Sequence, residues 1–281
     1  MISKILFYCT SHKKINYLDN FANLNLIACG EKKFDDKWEF INMEDNINKK
    51  FLSYGDLTAH YAIWKTFIKK KVDQKIWVGL CQYRRHWVND NFDPKKKYSL
   101  KDLKEVILID SKNSWKNYDA ILTSPFVFKP KLLEKIKRLN FLNNKVTIKQ
   151  QMLESLGKNS EKIYEKILTK LPAEIAAKFD QHISKSNILS AHGMYISTPK
   201  ILDEYMALSF SWYKNCENIL DPNGNIYLVE KPRFFQYLNE RFSDFWFKNY
   251  TSFTTNPICM YQEKENRLSL IGKHLNEKKV N

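Results

Sequence analysis

The chain has 281 residues, of which 43% are hydrophobic and 14% aromatic, and its formal net charge at pH 7 is +15. This apolar content is sufficient for a large core, which excludes intrinsically disordered and collagen-like chains. The length predicts one large domain, or one domain with a small helical annex. The positive charge favours polyanionic partners, but only six of the 46 basic residues are arginines. A lysine excess of this kind is typical of an AT-rich genome, so charge alone does not indicate nucleic-acid binding.

The cysteines and the hydropathy pattern point to a reducing compartment. The five cysteines are widely spaced and contain no C-x-x-C pair, which favours buried thiols over a metal site. No apolar run approaches the roughly 18 residues of a membrane span. The sequence therefore predicts a cytoplasmic protein.

Short apolar runs that stop at polar residues or glycine predict buried strands. In chain order these are residues 3–9, 25–29, 75–81, 118–123 and 194–197.

Apolar residues at helical spacing predict the intervening helices. The first covers 57–69, with Asp56 as its N-cap, and residues 102–109 are ambiguous between helix and strand. Further helices are predicted within the lysine-rich section 130–182 and over 199–215 and 227–239, followed by a short apolar element at 245–247 and a charged, amphipathic helical tail from Tyr261.

Alternating strands and helices indicate an α/β fold with a mostly parallel sheet. Ligands of such sheets bind beyond the carboxyl ends of the strands, which selects the loops at 10–14, 82–86, 124–125 and around His192. The chain has no G-x-G-x-x-G, P-loop or G-x-S-x-G motif and no zinc-type cysteine and histidine spacing.

The most informative motif is an arginine pair, Arg84 and Arg85, directly after the strand that ends near Cys81. An arginine presents a planar fork of donors that suits phosphate, and a leaving diphosphate needs such charge neutralisation. The alternative is an exposed basic turn or an internal salt-bridge pair.

At this motif the sequence resembles the DUF4422 proteins of bacterial polysaccharide gene clusters, which are regarded as GT-A-type glycosyltransferases. The matching segments occur in the family's order along nearly the whole chain. They are Thr10-Ser11-His12-Lys13-Lys14, Asp45-Asn46-Ile47, Tyr54-Gly55-Asp56-Leu57-Thr58-Ala59-His60-Tyr61-Ala62-Ile63-Trp64-Lys65, Val78-Gly79-Leu80-Cys81-Gln82-Tyr83-Arg84-Arg85, Tyr118-Asp119-Ala120-Ile121, His192-Gly193-Met194-Tyr195-Ile196, and Arg233 with Glu240-Arg241-Phe242.

The chain departs from the family pattern at several positions. Gln82 replaces a histidine, Gly55-Asp56 stands where Ser-Glu is usual, and Gly193 replaces an asparagine. Residues 130–182 match no part of the pattern.

The resemblance implies a GT-A-like, Rossmann-like α/β fold with a mostly parallel sheet flanked by helices and a helical insertion. We expect one domain over 1–281, with 130–182 as a lysine-rich insertion and 261–281 as a charged tail. The implied activity is hexose transfer from a nucleotide sugar, with UDP as the first expectation. The implied acceptor is a capsule, lipooligosaccharide or exopolysaccharide intermediate, free or lipid-linked.

The resemblance also implies which residues form the site. Those expected to bind the nucleotide sugar are Thr10, His12, Lys13, Asp56, Lys65, Gln82, Tyr83, Arg84, Arg85, His86, Arg233 and Arg241. Glu240, His192 and Asp119 are expected to be catalytic, with Glu240 as the base and Glu230 and Asp180 as reserve carboxylates.

Simpler roles stand beside these assignments. Asp56 can be a helix cap, Lys65 an exposed lysine, His192 a structural histidine, and Glu240 half of a helix-face ion pair with its neighbour. His12 and Lys13 can belong to a solvated loop, and Asp119 can be structural. Tyr61 and Trp64 are interpreted as core residues rather than as a sugar platform.

No cofactor and no metal ligand are assigned, because the D-x-D metal motif of GT-A enzymes is absent. We hypothesise that Arg84 and Arg85 replace the metal, while Asp90 and Asp93 leave Mg²⁺ or Mn²⁺ as an alternative. The expected partners are a nucleotide-sugar donor and a glycan acceptor, with an anionic inner membrane face as an option for the lysine-rich helices. Transfer of a nucleotide-activated polyol phosphate is the main alternative, and nucleic-acid binding is the weaker one.

Overall fold

The computed structural model describes residues 4–99, 101–128, 146–157, 159–220, 233–262 and 267–271. The strands are β1 (Ile5–Ser11), β2 (Leu24–Ala28), β3 (Trp38–Glu39), β4 (Trp77–Gln82), β5 (Arg85–Trp87), β6 (Ala120–Thr123), β7 (Phe126–Val127), β8 (Ile188–Leu189), β9 (Tyr195–Ser197), β10 (Phe253–Asn256), β11 (Ile258–Gln262) and β12 (Arg267–Ile271). The helices are α1 (Phe51–Tyr54), α2 (Leu57–Ile63), α3 (Leu103–Val106), α4 (Ile148–Leu156), α5 (Ser160–Leu168), α6 (Ala173–Lys185), α7 (Pro199–Leu220) and α8 (Phe234–Tyr250).

The strands confirm the predicted α/β fold with a mostly parallel sheet. The main strand order is β10-β6-β9-β4-β1-β2-β3. Its pairs are parallel except that β9 is antiparallel to both β4 and β6. Strands β5, β11 and β12 extend the sheet from the end of β4 as an antiparallel arm. The loop before β9 therefore lies at the same edge as the carboxyl ends of β4 and β6.

Each face of the sheet is covered by its own apolar core. Alternate residues of β1 point to opposite faces, so that Tyr8 packs with the long helices while Phe7 packs with α3 and the antiparallel arm. Gly79 allows β4 to approach β1 closely, because a Cβ atom there would lie 2.3 Å from the Phe7 ring.

In the part that the structure describes, the lysine-rich section forms α4, α5 and most of α6, joined by short turns. A capping box between Thr147 and Gln150 starts α4, and α4, α5 and α6 pack through buried residues that include Tyr164 and Phe179. Among its described residues, the exposed lysines are Lys162, Lys166, Lys170 and Lys178.

The structure corrects three predictions. Asp56 has helical backbone angles and makes no side-chain capping bond, so it is not the N-cap of α2. The apolar run 245–247 belongs to α8, because its three side chains are buried on one continuous helix. The described residues from Tyr261 form strand rather than amphipathic helix, since Tyr261 and Gln262 of β11 pair with Leu268 and Arg267 of β12.

None of the helices in the described residues is long and apolar enough to cross a membrane.

Candidate functional site

A cavity of about 340 Å³ opens at the carboxyl edge of β1 and β4. This is the edge at which parallel α/β sheets bind their ligands. Its lining comes from the ends of these two strands, the loop before α2, and the first turns of α8. The lining residues are Thr10, Ser11, His12, Cys29, Asp56, Gln82, Tyr83, Arg84, Arg85, Arg233, Gln236, Tyr237 and Glu240.

The arginine pair lies in the tight turn between β4 and β5. The backbone of this turn is held by two hydrogen bonds of Tyr83, whose amide donates to the Thr10 carbonyl (3.0 Å) and whose carbonyl accepts from the Tyr17 hydroxyl (2.6 Å). Arg84 is exposed and Arg85 is partly buried. Burial lowers the pKa of Arg85, and the charge of Arg84 adds to this effect. The turn thus places two like charges together in a concave site.

A histidine and a lysine lie beside the same space. The His12 ring lies edge-on to Tyr83, with 5.1 Å between ring centroids, and the Lys13 ammonium lies 5.5 Å from the centre of that tyrosine ring. Burial lowers the pKa of His12, and the surrounding lysine and arginine charges lower it further. A negatively charged ligand would relieve this repulsion.

Gln82 links three parts of the site through its side-chain amide. Its Nε2 donates to Asp56 Oδ2 (2.6 Å) and to the His192 carbonyl (3.0 Å). Its Oε1 accepts a hydrogen bond from Arg85 Nη1. Both amide hydrogens and the amide oxygen are therefore used, which fixes the orientation of a carboxylate and an arginine at once.

Asp56 is the more deeply placed of the two cavity carboxylates. Burial raises its pKa, the nearby Glu240 raises it further, and the charges of Arg85 and Arg233 oppose the increase. Its contact with Gln82 is the reason that Asp56 faces the cavity instead of capping α2.

One face of helix α8 closes the cavity. Arg233, Gln236, Tyr237 and Glu240 follow one another at the three- and four-residue spacing of a single helix face. The helix packs closely against the turn at Gly55, where a Cβ atom would lie 2.0 Å from Gln236 Oε1. Gly55 has φ = +56°, a left-handed conformation that glycine adopts without strain.

Glu240 is held by the buried Arg241 behind it. Arg241 Nη1 donates to Glu240 Oε2 (2.8 Å) and to the Tyr237 carbonyl (3.0 Å), while Nη2 donates to Gln151 (2.6 Å). The guanidinium also lies 3.7 Å from the centre of the Tyr237 ring. Arg241 therefore positions the carboxylate from outside the cavity lining.

His192 precedes β9 and lies beside the cavity rather than in its lining. Its φ of +76° is unusual for a residue with a side chain. Burial lowers the pKa of His192 to about 3, with nearby arginine charges adding to the effect. Its Nε2 is buried and makes no hydrogen bond to a described residue. The imidazole is consequently neutral at physiological pH.

Three residues expected in the site lie elsewhere. Lys65 follows α2 and forms an ion pair with Asp45 of the segment before α1, with 3.1 Å between Nζ and Oδ2. Asp119 precedes β6 at the opposite edge of the sheet and accepts hydrogen bonds from the Ser252 hydroxyl (2.7 Å) and amide (3.0 Å). His86 follows Arg85 on β5 and points to the other face, where burial lowers its pKa to about 4.

The carboxylates considered for a metal or as reserve bases also lie away from the cavity. Asp90 is paired with Lys112, Asp93 accepts from the Lys95 amide (2.9 Å), and Asp180 accepts from Tyr164 (2.9 Å). Glu230 lies outside the described residues. Within the described part of the chain, no group of three histidine, cysteine or acidic residues is arranged to hold a metal ion.

The sequence analysis missed four lining residues, Ser11, Cys29, Gln236 and Tyr237. The helical spacing from Arg233 to Glu240 is a signal that could have identified Gln236 and Tyr237. Cys29 follows β2, so the rule that selects loops at strand ends also applied to it.

Comparison with solved structures finds the same fold in a glycosyltransferase. The apo structure of the bifunctional glycosyltransferase WbbM aligns with a TM-score of 0.58 and 15% identity, over 96% of this chain and 46% of that one. The chain thus spans about half the length of this relative, and the likeness shows a shared fold. A search of curated proteins finds no match. The family model described as a domain of unknown function, DUF4422, matches residues 5–251. The chain therefore belongs to the DUF4422 family.

Proposed function

We propose that the protein is a glycosyltransferase that moves a hexose from a nucleotide sugar, with UDP as the first candidate nucleotide, to a glycan. The observation that carries the proposal is the cavity itself, in which Arg84, Arg85 and Arg233 face two carboxylates at the ligand-binding edge of the sheet. The fold shared with a bifunctional glycosyltransferase supports it.

The arginines supply the charge neutralisation that the reaction needs. Breaking the bond between the anomeric carbon and the diphosphate oxygen places negative charge on the leaving group. Preorganised positive groups stabilise that charge, and removing one such donor typically costs about 10²–10³ in rate. Arg84, Arg85 and Arg233 are assigned to the diphosphate, with His12 and Lys13 next to them. In this proposal they do the work that a divalent metal performs in other transferases.

The carboxylates are assigned to the sugar and the acceptor. Asp56, oriented by Gln82, and the neutral His192 would face the donor sugar. Glu240 would accept the proton of the acceptor hydroxyl as its oxygen attacks the anomeric carbon. The glycosidic bond forms, the bond to the diphosphate breaks, and the nucleoside diphosphate leaves with its electron pair. The protein ends the step with a protonated Glu240, which returns its proton to water.

The acceptor we propose is a capsule, lipooligosaccharide or exopolysaccharide intermediate, and we place the reaction at the cytoplasmic face of the membrane. The sequence resemblance to proteins of polysaccharide gene clusters supports this choice. The exposed lysines of α5 and α6 offer a surface for anionic lipid.

Release of nucleoside diphosphate from a panel of donors tests the proposal. The panel contains UDP-, GDP- and dTDP-hexoses together with a CDP-polyol. We expect turnover of a hexose donor, and its loss in the double variant Arg84→Ala/Arg85→Ala. Lys178→Ala is the matched control, because Lys178 is an exposed cation paired with Glu174 away from the cavity.

Three outcomes would change the proposal. Turnover of the CDP-polyol alone would replace hexose transfer by polyol-phosphate transfer. Full activity of the double arginine variant would reject the role of the cavity. Loss of activity in EDTA, restored by Mn²⁺ or Mg²⁺, would reject the metal-free version.

A further inference from the structure

A second cleft, of about 440 Å³, lies on the other side of helix α1 from the arginine cavity. It is bounded by the segment that leads into α1, by α2 and the helical turn Trp64–Ile68 that follows it, and by the second half of α7. We call it the aromatic cleft. Its lining residues are Asp45, Asn46, Ile47, Lys50, Tyr54, Tyr61, Trp64, Lys65, Ala207, Phe210, Ser211, Lys214 and Glu217.

Two motifs that match the family pattern meet in the aromatic cleft, and Asp56 of the second motif also lines the arginine cavity. Asp45 begins the Asp-Asn-Ile motif, and Lys65 ends the helical motif 20 residues later. The Lys65 ammonium lies 3.1 Å from Asp45 Oδ2, and the Tyr61 hydroxyl donates to the same oxygen at 2.9 Å. The Asp45 side chain is nevertheless 61% exposed. Its carboxylate is thus oriented by two neighbours and still open to a ligand.

The opposite wall repeats this arrangement. The Lys50 ammonium lies 2.7 Å from each oxygen of Glu217, and the Tyr54 hydroxyl donates to Glu217 Oε1 at 2.7 Å. Each carboxylate of the aromatic cleft is therefore paired with one lysine and one tyrosine. Because a carboxylate has several lone pairs, both retain capacity to accept hydrogen bonds from hydroxyl groups.

Aromatic rings line the space between the two carboxylates. Trp64 and Phe210 are stacked, with 5.6 Å between centroids and 9° between planes. Tyr61 lies edge-on to Phe210, with 5.0 Å between centroids. Trp64 and Phe210 are buried, whereas Tyr61 retains exposed surface. The interpretation of Trp64 as a core residue therefore holds, and Tyr61 is the ring that a ligand can reach.

We propose that the aromatic cleft binds a hexose unit of the glycan acceptor. A sugar ring combines an apolar C–H face with a rim of hydroxyl groups. The cleft offers the partly exposed Tyr61 ring, beside which the Lys65 ammonium lies 5.3 Å from the ring centre, together with oriented acceptors at its edge. A diphosphate is less suited to the cleft than to the arginine cavity, because Lys50 and Lys65 are already ion-paired with the two carboxylates of the cleft. Lys214 is the one other lysine of its lining. Tyr54 lines the cleft and Asp56, two residues later, lines the arginine cavity. One short segment therefore joins the proposed acceptor subsite to the proposed donor site, and the acceptor assignment rests on the proposed transferase activity.

Saturation-transfer NMR with methyl glycosides tests the inference. The probes are methyl α-D-glucopyranoside, methyl β-D-galactopyranoside and methyl α-D-mannopyranoside at millimolar concentration, with wild-type protein and no nucleotide. We expect saturation transfer to at least one probe. Asp45→Asn removes a charged acceptor while keeping its shape, and we expect it to weaken binding about tenfold or more. Tyr61→Phe, which keeps the ring and loses the hydroxyl that orients Asp45, should weaken binding to a smaller extent.

The control is Glu174→Gln, which removes an exposed carboxylate from a similar lysine pair on helix α6. Wild-type affinity in this variant is expected. Absence of saturation transfer from every probe, or equal binding by wild type and both cleft variants with native circular dichroism, would overturn the inference. Binding of UDP to Asp45→Asn should match wild type. If the glycoside results hold but no donor is turned over, the transferase proposal fails while the cleft remains a sugar-binding site.

Discussion

The arginine cavity and the aromatic cleft contain the same kinds of side chain but pair their charges differently. In the cleft, Asp45 and Glu217 each contact a lysine and a tyrosine. In the cavity, three arginines face two carboxylates, and Arg85 donates to the neutral amide of Gln82. Each lining contains three cations and two carboxylates. In the cleft two lysines are ion-paired with the carboxylates, which leaves oriented acceptors for a neutral ligand. In the cavity Arg85 is oriented by a neutral amide, so its charge is available to an anion. Charge pairing, rather than the number of charged residues, separates the two sites.

Glu240→Gln is expected to produce the largest difference between the two sites, a loss of kcat with ligand binding retained at both. Gln keeps an acceptor for Arg241 but cannot accept a proton, so kcat should fall by about 10²–10⁴ while nucleotide and glycoside binding are retained. Steady-state kinetics combined with a UDP titration measures this separation. Glu204→Gln, at an exposed position on α7, is the control. A kcat within about twofold of wild type would remove Glu240 from the chemical step.

The next effect concerns Gln82, which belongs to the cavity alone. Gln82→Ala leaves Asp56, Arg85 and the His192 carbonyl without their shared partner, and we expect donor turnover to fall about 100-fold. Glycoside binding in the cleft should be unchanged. Gln82→His introduces the residue usual in the family, and we expect its donor turnover to lie between those of wild type and Gln82→Ala. An imidazole offers one donor and one acceptor, whereas the amide makes three contacts. Equal activity of wild type and Gln82→Ala would show that this network does not position the site.

A smaller effect is expected from pH, and it should appear only at the cavity. The pKa of His12 is lowered by burial and by neighbouring cations, so the free protein holds it neutral. A bound diphosphate adds negative charge and raises that pKa, so that binding takes up a proton and tightens as pH falls. We expect the affinity for UDP-glucose to increase about fivefold between about pH 7.5 and about pH 5.5.

Two controls accompany the pH titration. His12→Asn should remove most of the increase, and glycoside binding should stay flat because the cleft lining contains no histidine. An equal increase in wild type and His12→Asn would assign the proton uptake to another group.

Much of the sheet could be predicted because its strands are short apolar runs that stop at polar residues. Strand β4 and the arginine turn after it were found in this way, and the ligand rule for parallel sheets then located the cavity. The described part of the tail from Tyr261 was mispredicted because it forms strand through the pairing of β11 with β12, a partner that no local pattern shows. Residues 245–247 were separated from α8 for a similar reason, since an all-round apolar stretch marks a buried helix as well as a strand.

The site was less predictable than the fold because its residues come from distant segments. His12, Arg84 and Arg85 follow strand ends and could be selected from sequence. Lys65 could not be excluded from the site on sequence alone. Its partner Asp45 lies 20 residues away, and the direction of its side chain follows from tertiary packing. The three hydrogen bonds of Gln82 could not be predicted, since the sequence shows only that this residue replaces a histidine.

The central proposal is that the arginine cavity binds a nucleoside diphosphate. Its clearest test is calorimetric titration of the protein with UDP, GDP, CDP and dTDP. We expect saturable binding of at least one of these nucleotides to wild type and to the control Lys178→Ala. In Arg84→Ala/Arg85→Ala we expect the affinity to fall about 100-fold or more, because two charge-assisted contacts to phosphate are removed. Unchanged affinity of the double arginine variant, with native circular dichroism, would contradict the account.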